Sequence, residues 1–119
     1  MKKNILRDKS FAFALRCVKL YKYLCNEQRE YVLSKQLLRS GTAIGALISE
    51  GEFAQSRADF VNKLSVALKE ANESLYWLSL LSESEYINQK MFESIKPDNE
   101  ELIRLLISSI KTAKMNSEQ

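Results

Sequence analysis

A chain of 119 residues, 45% hydrophobic and 28% charged, is long enough to bury its own core and too apolar for a disordered tail. It has 3 glycines, 1 proline and no histidine, which favours helices and removes the commonest general base and metal ligand. The net charge of +3 is uneven: residues 1–29 hold eight Lys/Arg against two acids, and the rest hold ten against thirteen. That asymmetry suits either an anionic partner for the N-terminal segment or a solvated helix face.

The periodicity predicts four helices, over about residues 9–25, 31–51, 57–82 and 98–114. In the first, Phe13, Cys17, Leu20 and Leu24 form one strip, and Ala14, Val18, Tyr21 and Cys25 a neighbouring one. Phe11 and Leu15 widen the apolar arc, leaving Lys9, Arg16 and Lys19 as the polar stripe. Lys22 falls near the border and can snorkel. A helix apolar over most of its circumference needs cover on more than one side, which points to a second interface.

The second helix carries Leu37, Gly41, Ile44 and Ile48 on one stripe, with Leu38, Gly45 and Leu47 alongside. Each helical glycine costs about 1 kcal/mol relative to alanine. Close approach of a neighbouring helix at Gly41 and Gly45 would offset that cost, and Gly45→Leu should then overpack. The alternative is a break at Ser40-Gly41-Thr42. No phosphate loop is present, since no Gly-Lys-Ser/Thr follows.

The third helix opens on Ser56-Arg57-Ala58-Asp59, which resembles a capping box. Phe60, Leu64, Ala67, Ala71, Leu75 and Leu78 then recur at helical spacing, with Trp77 widening the apolar face. Residues 83–101 hold six acids, two lysines and the proline and read as the longest connection, with a turn or two over 89–95. Asp98 is the expected cap of the fourth helix, which Leu102, Leu106, Ser109 and Ala113 line. Short links make neighbours antiparallel, so the expected fold is an all-α, antiparallel, up-down-up-down left-handed four-helix bundle in one domain, 1–119.

Cys17 and Cys25 stand eight residues apart, roughly 12 Å along a helix, too far for a disulfide. Buried free thiols and a reducing, cytoplasmic compartment are the expectation. Neither a signal-peptide apolar region nor a membrane span is visible.

Little in the chain carries chemistry. A di-metal bundle site needs Glu-x-x-His motifs, which cannot exist here. A carboxylate cluster of Glu50, Glu70 and Glu73 is conceivable, but pairing with Arg39, Lys63 or Lys69 competes with it. The cysteines lack a histidine base and no serine sits in a nucleophile elbow, so the expectation is no enzyme, no metal and no cofactor. Tyr21 and Tyr23, interleaved with Lys19 and Lys22, suit base stacking better than Tyr76 and Trp77, although packing explains both pairs.

The segment Ser34-Lys35-Gln36-Leu37-Leu38-Arg39-Ser40-Gly41-Thr42-Ala43-Ile44-Gly45-Ala46-Leu47-Ile48-Ser49-Glu50-Gly51 carries a resemblance. So do Asp59-Phe60-Val61-Asn62-Lys63-Leu64 and the run from Ala67 to Leu78. They resemble the four-helix-bundle proteins encoded in intervening sequences of bacterial 23S ribosomal RNA genes, over roughly residues 8–112. One position departs: Leu47 stands where the family has asparagine. The resemblance implies a bacterial source and a ring-like homopentamer, with no catalytic residues. Relatedness to a basic pentameric accessory protein of diversity-generating retroelements implies RNA or DNA binding.

Two functions therefore stand against each other. One is a nucleic-acid-binding homo-oligomer using Lys2, Lys3, Arg7, Lys9, Arg16 and Lys19, with Gly41, Gly45 and Trp77 in helix or oligomer packing. Lys2, Lys3 and Arg7 would form an arm ahead of the stripe. Changing Arg16 and Lys19 to Glu would then abolish binding without unfolding. The other is a protein–protein adaptor or structural bundle with a protein partner and no nucleic-acid ligand.

Overall fold

The computed structural model describes residues 4–117 and contains four helices: α1 (Ile5–Asn26), α2 (Leu33–Gly51), α3 (Arg57–Glu83) and α4 (Gln89–Ser117). They contact in a cycle, α1 on α2, α2 on α3, α3 on α4 and α4 back on α1, the last seam being the thinnest. Cross-contacts show each pair to be antiparallel. Along α1 and α2, Cys25 meets Ser34 and Cys17 faces Gly41; along α2 and α3, Arg39 meets Glu70 and Glu50 meets Lys63. Arg16 reaches Asp98 and Lys9 reaches Glu101 across α1 and α4. The result is an all-α, up-down-up-down four-helix bundle with extents of 51 × 26 × 21 Å.

The core follows the expected stripes in the first two helices. Phe13, Cys17, Leu20 and Leu24 of α1 are buried, as are Leu37, Gly41, Ile44 and Ile48 of α2. Burying each such Leu, Ile or Phe contributes about 1.5–3 kcal/mol. In α3 the buried stripe is Leu64, Ala67, Ala71, Ser74, Leu78 and Leu81. Ser74 takes the central place expected of Leu75 because it meets a buried polar residue of α4. Its hydroxyl donates to Asn99 Oδ1 at 2.8 Å, and Asn99 Nδ2 donates to the Ala71 carbonyl at 2.9 Å. Asn99 is fully buried and both ends of its amide are satisfied, which is the condition for a polar group to be tolerated there.

Gly41 leaves room for the Cys17 side chain of α1, while Gly45 lies against the Ser10 backbone. A Cβ at Gly41 would run into Cys17 Sγ and lie 3.1 Å from Cys17 Cβ. Gly45 faces Ser10 at 3.4–3.6 Å, an ordinary packing distance. The helix runs unbroken through Ser40-Gly41-Thr42.

Helix ends depart from expectation. α1 starts at Ile5 rather than Lys9, because Asn4 Oδ1 accepts from the Arg7 N–H at 3.0 Å and caps it. α2 starts at Leu33, held by Glu30. The Glu30 carboxylate accepts from the backbone N–H groups of Val32, Leu33 and Ser34 at 3.1, 2.9 and 2.7 Å. Ser56 caps α3 as expected, accepting from Asp59 N–H at 3.1 Å, while the Asp59 carboxylate receives Gln55 N–H at 3.2 Å.

The expected connection over 83–101 is corrected. α4 begins at Gln89, capped by Asn88, whose Oδ1 accepts from Met91 N–H at 2.9 Å, and continues through Pro97. Asp98 is therefore inside the helix and caps nothing. Proline removes one backbone N–H and crowds the carbonyl four residues back, here that of Glu93. Pro97 and Glu93 are both exposed, so water can reach that carbonyl. Ile95, Asn99, Leu102 and Leu106 continue one buried stripe through the proline. Burial of Ile95 and partial burial of Met91 and Phe92 ahead of the proline offset a local cost of about 3 kcal/mol.

Candidate nucleic-acid interface

The basic residues of α1 divide into two groups. Arg7 lies in the first turn of the helix, not on an arm, and approaches Glu52 at 3.8 Å and Asp8 at 3.9 Å. Lys9 pairs with Glu101 at 3.2 Å. Arg16 donates to Asp98 Oδ2 at 2.7 Å, to the Ser94 carbonyl at 2.8 Å and to Ser94 Oγ at 2.6 Å. Lys19 and Lys22 are exposed and carry no ion pair or hydrogen bond. Lys2 and Lys3 lie outside the described residues.

The expected polar stripe of Lys9, Arg16 and Lys19 is thus divided by its partners. Its first two members face α4, whose acids neutralise them, and only Lys19 stays open. The cause is the early start of α4, which lays Ser94, Asp98 and Glu101 along α1. The pair of changes Arg16→Glu and Lys19→Glu no longer isolates binding, because a carboxylate at position 16 would stand against Asp98.

Beyond Arg16 the two helices part to leave a groove of about 460 Å³. α1 contributes Arg16, Lys19, Leu20 and Tyr23, and α4 contributes Lys90, Met91, Ser94 and Ile95. Leu20 and Ile95 are buried and close its floor. No carboxylate lines it, and Lys90, like Lys19, is without a partner. Lys90 and Met91 also sit in the first turn of α4, where the helix dipole is positive. The neighbouring recess differs: it is lined by Glu83 and Glu85 with Tyr86 and Asn88, and repels anions.

Lys90 and Met91 were not among the residues expected to bind. A signal for them exists: Asn88 precedes Met91, Ile95, Asn99 and Leu102 at helical spacing, which marks a capped helix from 89 onward.

The acids weighed as a metal cluster are engaged by cations. Arg39 pairs with Glu70 at 3.2 Å and with Glu73, and Lys63 pairs with Glu50 at 3.4 Å. Glu73 also accepts from the Trp77 indole N–H at 2.9 Å. The Trp77 and Arg39 donors hold its carboxyl below the ordinary range. Among the described residues no group of three or more His, Cys, Asp or Glu side chains converges as a metal site requires. Trp77 is half-buried against the core and meets Tyr76 edge-to-face, with ring centroids 5.0 Å apart.

Cys17 is buried and Cys25 only half-buried, so the expectation of two buried thiols holds for one. Burial pushes the Cys17 thiol up to about 12, against the opposing effect of Arg16. Apolar residues also remain outside the core: Phe11 is 65% exposed, Leu15 54% and Phe53 84%. No helix among the described residues is long and apolar enough to cross a membrane.

These features define a histidine-free antiparallel four-helix bundle with a cation-rimmed groove along its thinnest seam. The chain belongs to the 23S rRNA-intervening sequence protein family, which it matches over residues 2–108. It is similar to a solved protein with unknown function, from the S23 ribosomal protein family of Bacteroides thetaiotaomicron VPI-5482. That likeness has 62% identity and a TM-score of 0.89 over 90% of this chain and 99% of the other. None of the curated proteins matches the chain.

Proposed function

We propose that this protein is a non-enzymatic, cytoplasmic homo-oligomer that binds nucleic acid through the α1–α4 surface around Lys19 and Lys90. The observation that carries the reading is the groove itself. Its two lysines are unpaired while Arg7, Lys9 and Arg16 of α1 are tied to acids, so along this seam the open cations lie at the groove end. Lys22 adds to it from the exposed face of α1.

Assembly strengthens such a site. Phe11 and Leu15 stand four residues apart on the outer face of α1, more than half exposed, and a second copy would cover them. A pentamer, which the family resemblance implies, would repeat the lysine pair five times and gain avidity for a polyanion.

The test is a gel shift with RNA and DNA across a salt series, run beside sedimentation velocity. The expected result is an oligomer whose affinity falls steeply with salt, as counterion release requires. Lys19→Ala with Lys90→Ala should weaken binding and leave assembly intact. The adaptor reading draws on Phe53, whose ring is 84% exposed in the α2–α3 loop. No nucleic-acid binding at low salt would favour it.

A further inference from the structure

The groove has a second property that charge alone does not require. A site for a polyanion backbone needs lysines and water. This one sets its lysines beside an apolar floor of Leu20 and Ile95, with the half-buried Tyr23 and Met91 as walls. Its other polar lining is already satisfied, since Arg16 and Ser94 bond to each other. The free chemistry is therefore two ammonium groups from opposite helices and a patch of aromatic, thioether and aliphatic surface.

Resting on the nucleic-acid reading above, we infer that the groove receives one unstacked nucleotide of single-stranded RNA. Its base lies against Tyr23 and Met91, and its phosphate sits between Lys19 and Lys90. A flat base matches the apolar floor, and the N-terminal turn of α4 adds positive potential on the phosphate side. A duplex keeps its bases stacked inside, and side chains cannot read the narrow major groove of A-form RNA. It would engage the lysines and leave the floor wet. Stacking on an aromatic tolerates any base, so the site carries little sequence preference.

The test uses the full chain with an oligouridylate, an RNA duplex of equal length, and uridine monophosphate alone. Single strand should bind more tightly than duplex. Tyr23→Ala should lower single-strand affinity about tenfold and leave duplex affinity unchanged, with Tyr23→Phe restoring it. Lys90→Ala should lower both. A photoreactive thiouridine strand should crosslink to Tyr23 or Met91 in the unmodified chain, which keeps the test open if Tyr23→Ala does not fold.

Equal affinity for duplex and single strand, or crosslinks confined to lysines away from the groove, would remove base insertion and leave the nucleic-acid reading standing. Uridine monophosphate binding as tightly as the strand would assign the groove to a free nucleotide and overturn the single-strand assignment. Absence of binding by every RNA at low salt would remove both readings.

Discussion

Arg16 of α1 and Asp98 of α4 close at 2.7 Å across the thinnest seam of the bundle, and Ser94 accepts the same guanidinium at its carbonyl and its hydroxyl. A cation that reads as part of a binding stripe is thereby a tie between helices. It also fixes the edge at which the α1–α4 groove begins, because Arg16 and Ser94 both line it.

Arg16→Ala and Asp98→Ala should each destabilise the bundle and should couple in a double-mutant cycle. Both side chains are more than a third exposed, so the coupling is expected at only about 0.5–1 kcal/mol. Lys19→Ala, with nothing to lose in the folded state, should fall within about 0.5 kcal/mol of the unmodified protein. Urea unfolding reads the four variants against the unmodified protein. Additive effects at 16 and 98 would show that the tie contributes nothing.

Glu30 is 8% exposed and supplies the acceptor that the N–H groups of Val32, Leu33 and Ser34 need at the start of α2. Burial alone would raise its carboxyl, but the N–H donors of Leu33, Ser34 and Val32 outweigh that and lower it from the ordinary 4.5. A lowered folded value means that the unfolded chain takes up its proton first as pH falls. The stabilisation is complete above about 4.5 and is lost as pH drops through the folded value. Glu30→Ala should cost about 1–2 kcal/mol at neutral pH, as loss of a cap does. The difference from the unmodified protein should shrink in acid. A constant difference across that range would exclude an ionised cap.

The two glycines of α2 should separate on substitution by alanine. Gly41→Ala drives a methyl into Cys17 Sγ and against its Cβ at 3.1 Å on a buried, facing helix, so the Cys17 side chain or its helix must shift. Overpacking costs about 1–3 kcal/mol, against a gain in helix propensity of about 1 kcal/mol. Gly45→Ala meets Ser10 at 3.4 Å and should be neutral or slightly stabilising. Thermal unfolding of both variants decides it, and the reverse order would place the close approach at Gly45.

The two thiols should differ in reactivity. Cys17 is buried with its thiol pushed up to about 12, so almost none is thiolate near neutrality. Cys25 is half-buried at the edge of α1 beside Ser34. Alkylation of the folded protein should modify Cys25 alone, and denaturant should release Cys17. Mass spectrometry after mild iodoacetamide treatment reads the two sites. Equal labelling in the native state would contradict the packing of Cys17 against Gly41.

Periodicity alone placed a segment of each of the four helices and the buried faces of α1 and α2. Leu37, Gly41, Ile44 and Ile48 recur at spacings that only a helix can bury on one side, and each is buried. The four-helix architecture and the family were also legible, because short links and a run of residues from Ser34 to Gly51 are local information. Pro97 hid the first eight residues of α4, from Gln89 to Lys96. A proline is a reliable local breaker, and its tolerance depends on burial summed over Ile95, Asn99, Leu102 and Leu106, which local rules do not add up.

The sequence by itself determined a histidine-free helical bundle, its caps at Ser56 and its glycine approach at Gly41, since these rest on residue type and spacing. Only the tertiary structure decided which charges are free. Arg16 and Lys19 are alike in sequence, three residues apart on one helix, yet one meets Asp98 and the other meets no partner. Pairing depends on what a neighbouring helix brings within 4 Å, and about 60° of rotation and one short step along α1 separate Arg16, against Asp98, from Lys19 in the open groove.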